Sequence, residues 1–191
     1  MSELLFRDSE RVKYERVWDD SRYRTQTDGL PAVFRAFRGM GCKPGETLID
    51  WGCGTGRAAK LFADKGLQVT CFDIAANAMD SSIELPFVQG CLWEPPDGLE
   101  ADYGFCADVL EHIPPDYIEA SLSTIYWRSK IAAFIQVDTV RDISGALMEP
   151  PEVLHLCVRK KKWWQDQLEA FWSEVIPSQG AFTRWQFLCG R

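Results

Sequence analysis

The densest chemistry in this chain lies in Asp50-Trp51-Gly52-Cys53-Gly54-Thr55-Gly56, which follows an apolar run and precedes a helix-like one. Glycine lets a backbone approach a ligand closely, and a helix starting beyond such a turn offers unpaired N–H groups and a positive dipole end. The third glycine comes one residue earlier than in the dinucleotide fingerprint GxGxxG. A pyrophosphate or a carboxylate suits such a turn, and a ligand-free strand-to-helix turn is the plain alternative. Asp73 stands 17 residues after Gly56, at the end of a second apolar run. An acid there can accept hydrogen bonds from both ribose hydroxyls of an adenosine, and Ile74 beside it suits a purine face. Its plain alternative is a cap for the helix that follows. A third cluster, Asp108-Val109-Leu110-Glu111-His112, also leaves an apolar run, with a polar helix-capping turn as its alternative. His112 and His155 are the chain's two histidines. Each is a candidate general base, because neutral imidazole can take a proton from an oxygen acceptor. For each, the alternative is a hydrogen-bonded histidine that fixes a loop.

These residues need elements to hold them. The pattern predicts a helix over 9–20 and a second from 29 or 30 to 37, with Pro31 in its first turn. Strands are predicted at 47–51, 68–72, 86–89, 103–109 and 131–137, alternating with helices over 57–65, about 75–81 and 115–129. Residues 131–137 are apolar at nearly every position, as in a strand covered on both faces. Strands alternating with helices give a parallel sheet with right-handed crossovers. A late helix over 161–172 precedes two strands, 173–177 and 182–189, separated by Ser178-Gln179-Gly180. So short a link joins antiparallel neighbours. The fold class read from this is α/β: a doubly wound, seven-stranded, mostly parallel sheet ending in an antiparallel hairpin, with helices on both faces. Ligands of such sheets sit beyond the strands' carboxyl ends at the switch point between the first and fourth strands. The three clusters leave their strands at that place.

The segments LIDWGCGTGR, CFDI and ADVLEHIP resemble, in order and spacing, the motifs of the class I S-adenosylmethionine-dependent methyltransferases. The resemblance covers at least residues 47–138, and the terminal hairpin suits that family's seven-stranded sheet with its inserted antiparallel strand. It implies a cofactor site in which Asp50, Gly52, Cys53, Gly54 and Gly56 surround the methionine end and Asp73 holds the ribose beside Ile74. The backbone of Asp108, Val109 and Leu110 borders the methionine end. Where the family often has an acid near the adenine amino group, this chain has Cys91. A thiol accepts hydrogen bonds poorly, so backbone groups of Cys91 and Leu92 are expected to read the adenine. The stretch around His155 also resembles one in small-molecule members where a histidine precedes a tryptophan-bearing helix. The cofactor implied is S-adenosylmethionine, leaving S-adenosylhomocysteine, with no metal.

Hydrophobic residues are 46% and charged ones 26%, which fits one ordinary globular domain over 1–191. It divides into N-terminal helices covering the site (1–46), a cofactor core (47–138), a substrate lid (139–160) and a late helix with hairpin (161–191). The acceptor pocket is expected from variable parts: Tyr14, Trp18, Tyr23 and Arg24 before the core, and Arg141 in the lid. A net charge of −7 disfavours nucleic acid and anionic lipid, so the expected partner is a small-molecule acceptor methylated on O or N. The tetrad of amino-group nucleic-acid enzymes is absent after the fourth strand, as is a Pro-Cys pair for cytosine C5 chemistry. Seven scattered cysteines without CxxC spacing read as buried thiols of a reducing compartment. The first residues lack an apolar signal core, and no run reaches the ~20 apolar residues of a membrane span, so the expected location is cytoplasmic. Three other readings stay open: a cofactor-binding module without turnover that acts through a protein partner, a nucleic-acid or protein methyltransferase, and a nicotinamide-linked oxidoreductase, which the glycine register disfavours.

Overall fold

The computed structural model describes residues 3–25, 29–142, 144–145, 148 and 150–191. Its sheet has seven strands in the order β3-β2-β1-β4-β5-β7-β6. They are β1 (Thr47–Trp51), β2 (Gln68–Asp73), β3 (Phe87–Gln89), β4 (Ala101–Ala107), β5 (Ser129–Asp138), β6 (Glu174–Gln179) and β7 (Arg184–Gly190). β1 pairs in parallel with both β2 and β4, so it is the point where the winding reverses. β7 is inserted between β5 and β6 and is antiparallel to both. β6 therefore runs with β1–β5, and β7 alone runs against the sheet. β6 lies at the edge, where Pro177, lacking an N–H, is tolerated.

Side chains alternate across the strands, so each strand feeds two cores. Leu48, Tyr103, Phe105, Ala132 and Phe134 face the layer holding α2 (Val33–Gly39) and α3 (Arg57–Ala63), where Val33, Ala36 and Phe62 are buried. Ile49, Trp51, Cys106, Ala133, Ile135 and Val137 face the layer of α4 (Ile118–Arg128) and α5 (Lys161–Glu169). Leu122, Ile125, Trp164 and Trp172 fill that second core, while Trp163 is only partly buried against it. All seven cysteines are free and buried. The basic run 159–162 lies on the surface at the start of α5. There Lys161 rides over the Trp185 ring and Lys162 pairs with Asp166.

Several elements differ from the sequence reading. β4 stops at Ala107, because Asp108 takes a left-handed φ of 58°, a conformation that aspartate tolerates better than most residues. The helix expected over 75–81 is one 3-10 turn, Ala76–Ala78. The Asp73 carboxylate takes the Ala75 N–H at 2.9 Å just before it. α1 (Glu3–Asp19) starts earlier than expected. No helix among the described residues is long and apolar enough to cross a membrane.

Candidate active site

The three glycines of the turn after β1 have φ values of 75°, 50° and 75°, all in the left-handed region. Each also has a neighbour where a side chain would stand. A Cβ on Gly52 would lie 2.4 Å from Val109 Cγ2, one on Gly54 2.9 Å from the Trp18 ring, and one on Gly56 2.8 Å from Met79 Sδ. The turn is tied to β2: Gly52 and Cys53 both donate to the Phe72 carbonyl, at 2.7 and 3.0 Å. Gly54 donates to Asp73 Oδ2 at 2.9 Å. Asp73 thus clamps the turn with one oxygen and Ala75 with the other, and each oxygen keeps a lone pair.

Two acids are buried here. Asp50 is 2% and Asp73 7% exposed, and Asp50 Oδ2 has no hydrogen-bond partner. Burial, with Asp73 adding its charge, pushes the Asp50 carboxyl up to about 7, and burial also raises Asp73. Asp73 lines the cleft and neither acid has a cation partner among the described residues, so a positive charge bound beside Asp73 would favour its ionised form.

The cleft beyond β1, β2 and β4 is mainly apolar. Its floor includes Gly52, Phe72, Asp73, Ile74, Gly90 and Leu92, its far wall Asp108, Val109, His112 and Ile113, and its roof Tyr14, Trp18 and Tyr23 from the N-terminal segment. Glu10 and Trp93, which the sequence did not single out, also line it. Trp18 and Tyr23 meet edge to face at 4.9 Å. Asn77 holds this roof by donating to the Glu15 carbonyl (2.7 Å) and the Asp19 carboxylate (2.9 Å).

A second, more polar cavity adjoins the first through Tyr23, Asp108 and His112, and is lined further by Glu111, Asp138, Arg141, His155 and Arg184. Asp108 receives Arg184 Nε at 2.8 Å and Gln136 Nε2 at 2.8 Å, and Gln186 in turn donates to Gln136 at 2.7 Å. This polar row across β5 and β7 had no local sequence signal. Glu111 is wholly buried. It accepts the Asp138 N–H at 2.7 Å through Oε1, and its carbonyl receives the N–H groups of Leu156 and Cys157, both at 2.8 Å. Burial and the neighbouring Asp108 raise its carboxyl well above the ordinary range.

The two histidines come together, with rings 4.7 Å apart and nearly perpendicular at 87°. His112 is half-buried; desolvation, then His155, lower its pKa to about 3, so it is neutral. The Tyr14 hydroxyl, whose pKa burial raises, lies 3.1 Å from His112 Nδ1. His155 donates from Nδ1 to the Val140 carbonyl at 2.6 Å, which makes Nε2 the lone-pair nitrogen of the neutral ring.

Other expected site residues stand outside the apolar cleft. Arg24 lines neither cavity, because its guanidinium binds the carbonyls of Asn77 (2.8 Å), Trp18 (3.3 Å) and Met79 (3.4 Å). Arg141 is exposed at the rim of the polar cavity. Cys91 lines a groove, with Arg7 and Glu94, that adjoins the cleft through Ile74 and Gly90, while its neighbour Leu92 faces the cleft. Leu110 is fully buried in the core behind the far wall. The 139–160 segment joins the roof: Leu154 and Met148 pack with Val17, and Glu152 pairs with Arg16. Within that segment, residues 143, 146–147 and 149 lie outside the described residues.

Comparison with known proteins agrees with this geometry. The model of the methyltransferase domain family matches residues 23–183. Among curated proteins, the malonyl-[acyl-carrier protein] O-methyltransferase of Serratia marcescens is 44% identical over 43 residues, 22% of this chain and 17% of that protein. The ubiquinone biosynthesis O-methyltransferase of Erwinia tasmaniensis is 30% identical over 80 residues, 37% of this chain and 33% of that protein. The matches therefore span about a third or less of these curated relatives. Among solved structures, a DhpI–SAM–HEP complex superposes with a TM-score of 0.74 at 14% identity, covering 100% of both chains. The Burkholderia thailandensis 1,6-didemethyltoxoflavin-N1-methyltransferase, solved with S-adenosylhomocysteine, gives 0.68 at 15% identity over 100% of this chain and 90% of that one. The chain belongs to the methyltransferase domain family and has the fold of its class I S-adenosylmethionine-dependent members.

Proposed function

We propose that this chain transfers the methyl group of S-adenosylmethionine to an oxygen or nitrogen atom of a small molecule. The observation that carries the reading is Asp73: a buried acid at the end of β2, already clamping the glycine turn, that opens onto the cleft at the switch point. The residues present fit the cofactor. Asp50 and Asp73 offer buried negative charge, one oxygen of it unpartnered, to a ligand carrying two positive centres. Ile74, Leu92 and Trp93 offer an apolar slot for a purine. When bound, the sulfonium supplies the electrophilic methyl group.

The chain's own part is placement and proton handling. Asp73 would accept hydrogen bonds from the ribose, and the glycine turn would hold the methionine end. Trp18 and Tyr23 would roof the site and exclude water, and the polar cavity beyond His112 would seat the acceptor in line with the leaving sulfur. His155 is the better placed of the two histidines to take a proton. Its Nε2 lone pair is free in the neutral ring, whereas His112 already meets the Tyr14 hydroxyl at Nδ1 and the Leu154 backbone. The acceptor class draws support from the relatives, whose names state O- and N-methylation.

Calorimetric titration of the purified chain with S-adenosylmethionine, S-adenosylhomocysteine and NAD tests the reading. The expected result is binding of the first two, none of NAD, and affinity weakened by a few kcal/mol at most in Asp73→Ala. Binding of NAD alone would restore the oxidoreductase reading. Unchanged affinity in Asp73→Ala would remove Asp73 from the site. Cofactor binding with no methyl transfer to any of a panel of phenols, acids and amines would favour the binding module.

A further inference from the structure

The polar cavity brings together three residues with metal-binding side chains: Glu111, His112 and His155. Taking one donor atom from each, these atoms all lie within 4.8 Å of one another. We infer that this trio forms a site for a divalent transition-metal ion, zinc by its ligand set, at the acceptor end of the cleft.

Three observations point the same way. First, Glu111 is fully buried, and while Oε1 is held by the Asp138 N–H, Oε2 has no hydrogen-bond partner among the described residues. A buried carboxylate oxygen left without a partner is costly, and a cation is the group that satisfies it. Second, His155 donates from Nδ1 to the Val140 carbonyl. That outer contact fixes the tautomer and presents Nε2, the usual arrangement behind a metal-bound imidazole. Third, the cavity is rich in acid. Asp108, Asp138 and Asp142 line it with Glu111, against Arg141 and Arg184, and Arg184 is engaged with Asp108 at 2.8 Å.

Two imidazoles and one carboxylate, with open positions towards a cavity, suit zinc and its neighbours in the first transition row. Zinc bonds of ~2.0–2.1 Å put tetrahedral ligand atoms roughly 3.4 Å apart, so a trio spaced within 4.8 Å must close by up to ~1.4 Å. His155 is only partly buried and can make that movement. His112 lies against Tyr14 through Nδ1 and also touches the Leu154 backbone. It would give up the Leu154 contact to turn its second nitrogen to the ion. Two neutral imidazoles and one carboxylate leave the centre with one net positive charge, ready to hold an oxygen of the acceptor. On the methyl-transfer reading, on which this consequence alone rests, the ion then takes the place of His155 in making that oxygen nucleophilic.

The test is cobalt(II) titration of the chelator-stripped, full-length chain, followed by visible absorption and by displacement with zinc. The expected result is one cobalt per chain with d–d bands of nitrogen and oxygen ligands, displaced by zinc. His155→Ala should weaken binding by ~100-fold or more, since loss even of outer-shell partners costs ~10–100-fold. Glu111→Gln should do the same, and far-ultraviolet circular dichroism with thermal unfolding of each variant shows that it is folded. No bound cobalt, an unchanged affinity in His155→Ala, or a sulfur-to-cobalt charge-transfer band placing the ion on cysteines would each overturn the inference. Cobalt binding as expected in a chain that fails to bind S-adenosylhomocysteine would keep the metal site and refute the methyl-transfer reading instead.

Discussion

Gly52→Ala is the substitution whose cost the structure defines best. The residue sits at φ 75°, and a Cβ there meets Val109 Cγ2 at 2.4 Å and Cγ1 at 3.0 Å. Left-handed backbone costs an L-residue ~1–2 kcal/mol, and forcing a methyl into a filled site ~1–3 kcal/mol, so the variant should lose about 2–5 kcal/mol. The two terms separate in a double-mutant cycle. Val109→Ala removes both clashing methyls but leaves the backbone strain, so in that background Gly52→Ala should cost only ~1–2 kcal/mol. The coupling between the two sites is then ~1–3 kcal/mol. Denaturant unfolding of the four proteins reads this directly. Calorimetry with S-adenosylhomocysteine adds the functional half: Gly52 lines the cleft, so the extra methyl should reduce affinity at least ~10-fold even where Val109→Ala restores stability, a loss of ~1.4 kcal/mol. Strict additivity, or a Gly52→Ala variant as stable as the parent, would refute the close approach of the turn after β4 to the turn after β1.

Asp50 gives the pH prediction. Its carboxyl titrates near 7 in the fold against an ordinary 3.8, so the folded chain holds a proton that the unfolded chain releases. Folding then loses stability as pH rises from 3.8 to about 7 and is flat beyond, a span worth at most ~4 kcal/mol. Asp50→Asn lacks this term, so its stability relative to the parent should improve between pH 5 and pH 8 in chemical denaturation, and a constant difference would contradict it. Ser129 is fully buried, its hydroxyl has no partner, and it stands 2.3 Å from where a Gly104 Cβ would be. Ser129→Ala should therefore be neutral or slightly stabilising, and a loss above ~1 kcal/mol would mean the hydroxyl has a hidden role. Arg184→Met removes a cation from the 7%-exposed Asp108 side chain and should cost ~3 kcal/mol. In thermal unfolding, Asp108→Asn in the same background should recover part of that loss.

What the sequence showed and what it hid follow from the range of the contacts. The glycine turn, Asp73 and the 108–112 stretch each announce themselves because strand, turn and helix start are consecutive residues. β1, β2, β4 and β5 were legible as apolar runs because both faces of each are covered. The roof was harder. Tyr14, Trp18 and Tyr23 were candidates by position, but only the fold shows Trp18 resting on Gly54. The use of Arg24 as a carbonyl clamp reaches Asn77 and Met79, 53 and 55 residues away, and the row Asp108–Gln136–Gln186 with Arg184 depends on partners 28 to 76 residues away, which leave no periodic or local mark. The end of β4 was misplaced because Val109 and Leu110 continue the apolar pattern, while Asp108 turns the backbone out of it.

The Arg184–Asp108 pair spans 76 residues and ties the turn after β4 to the strand that comes last of the seven. On the ribosome, at ~5–20 residues per second, the partner of Asp108 is made roughly 4–15 s after it. Through that interval β1–β5 can pair, yet β5 keeps an open edge and the acid beside it lacks its guanidinium. A nascent chain therefore passes through a half-sheet whose site-bearing turn is not yet fixed, with a long apolar edge exposed to other strands. Chaperone demand during synthesis should concentrate on that window, and a slow codon tract between β5 and β7 would lengthen it.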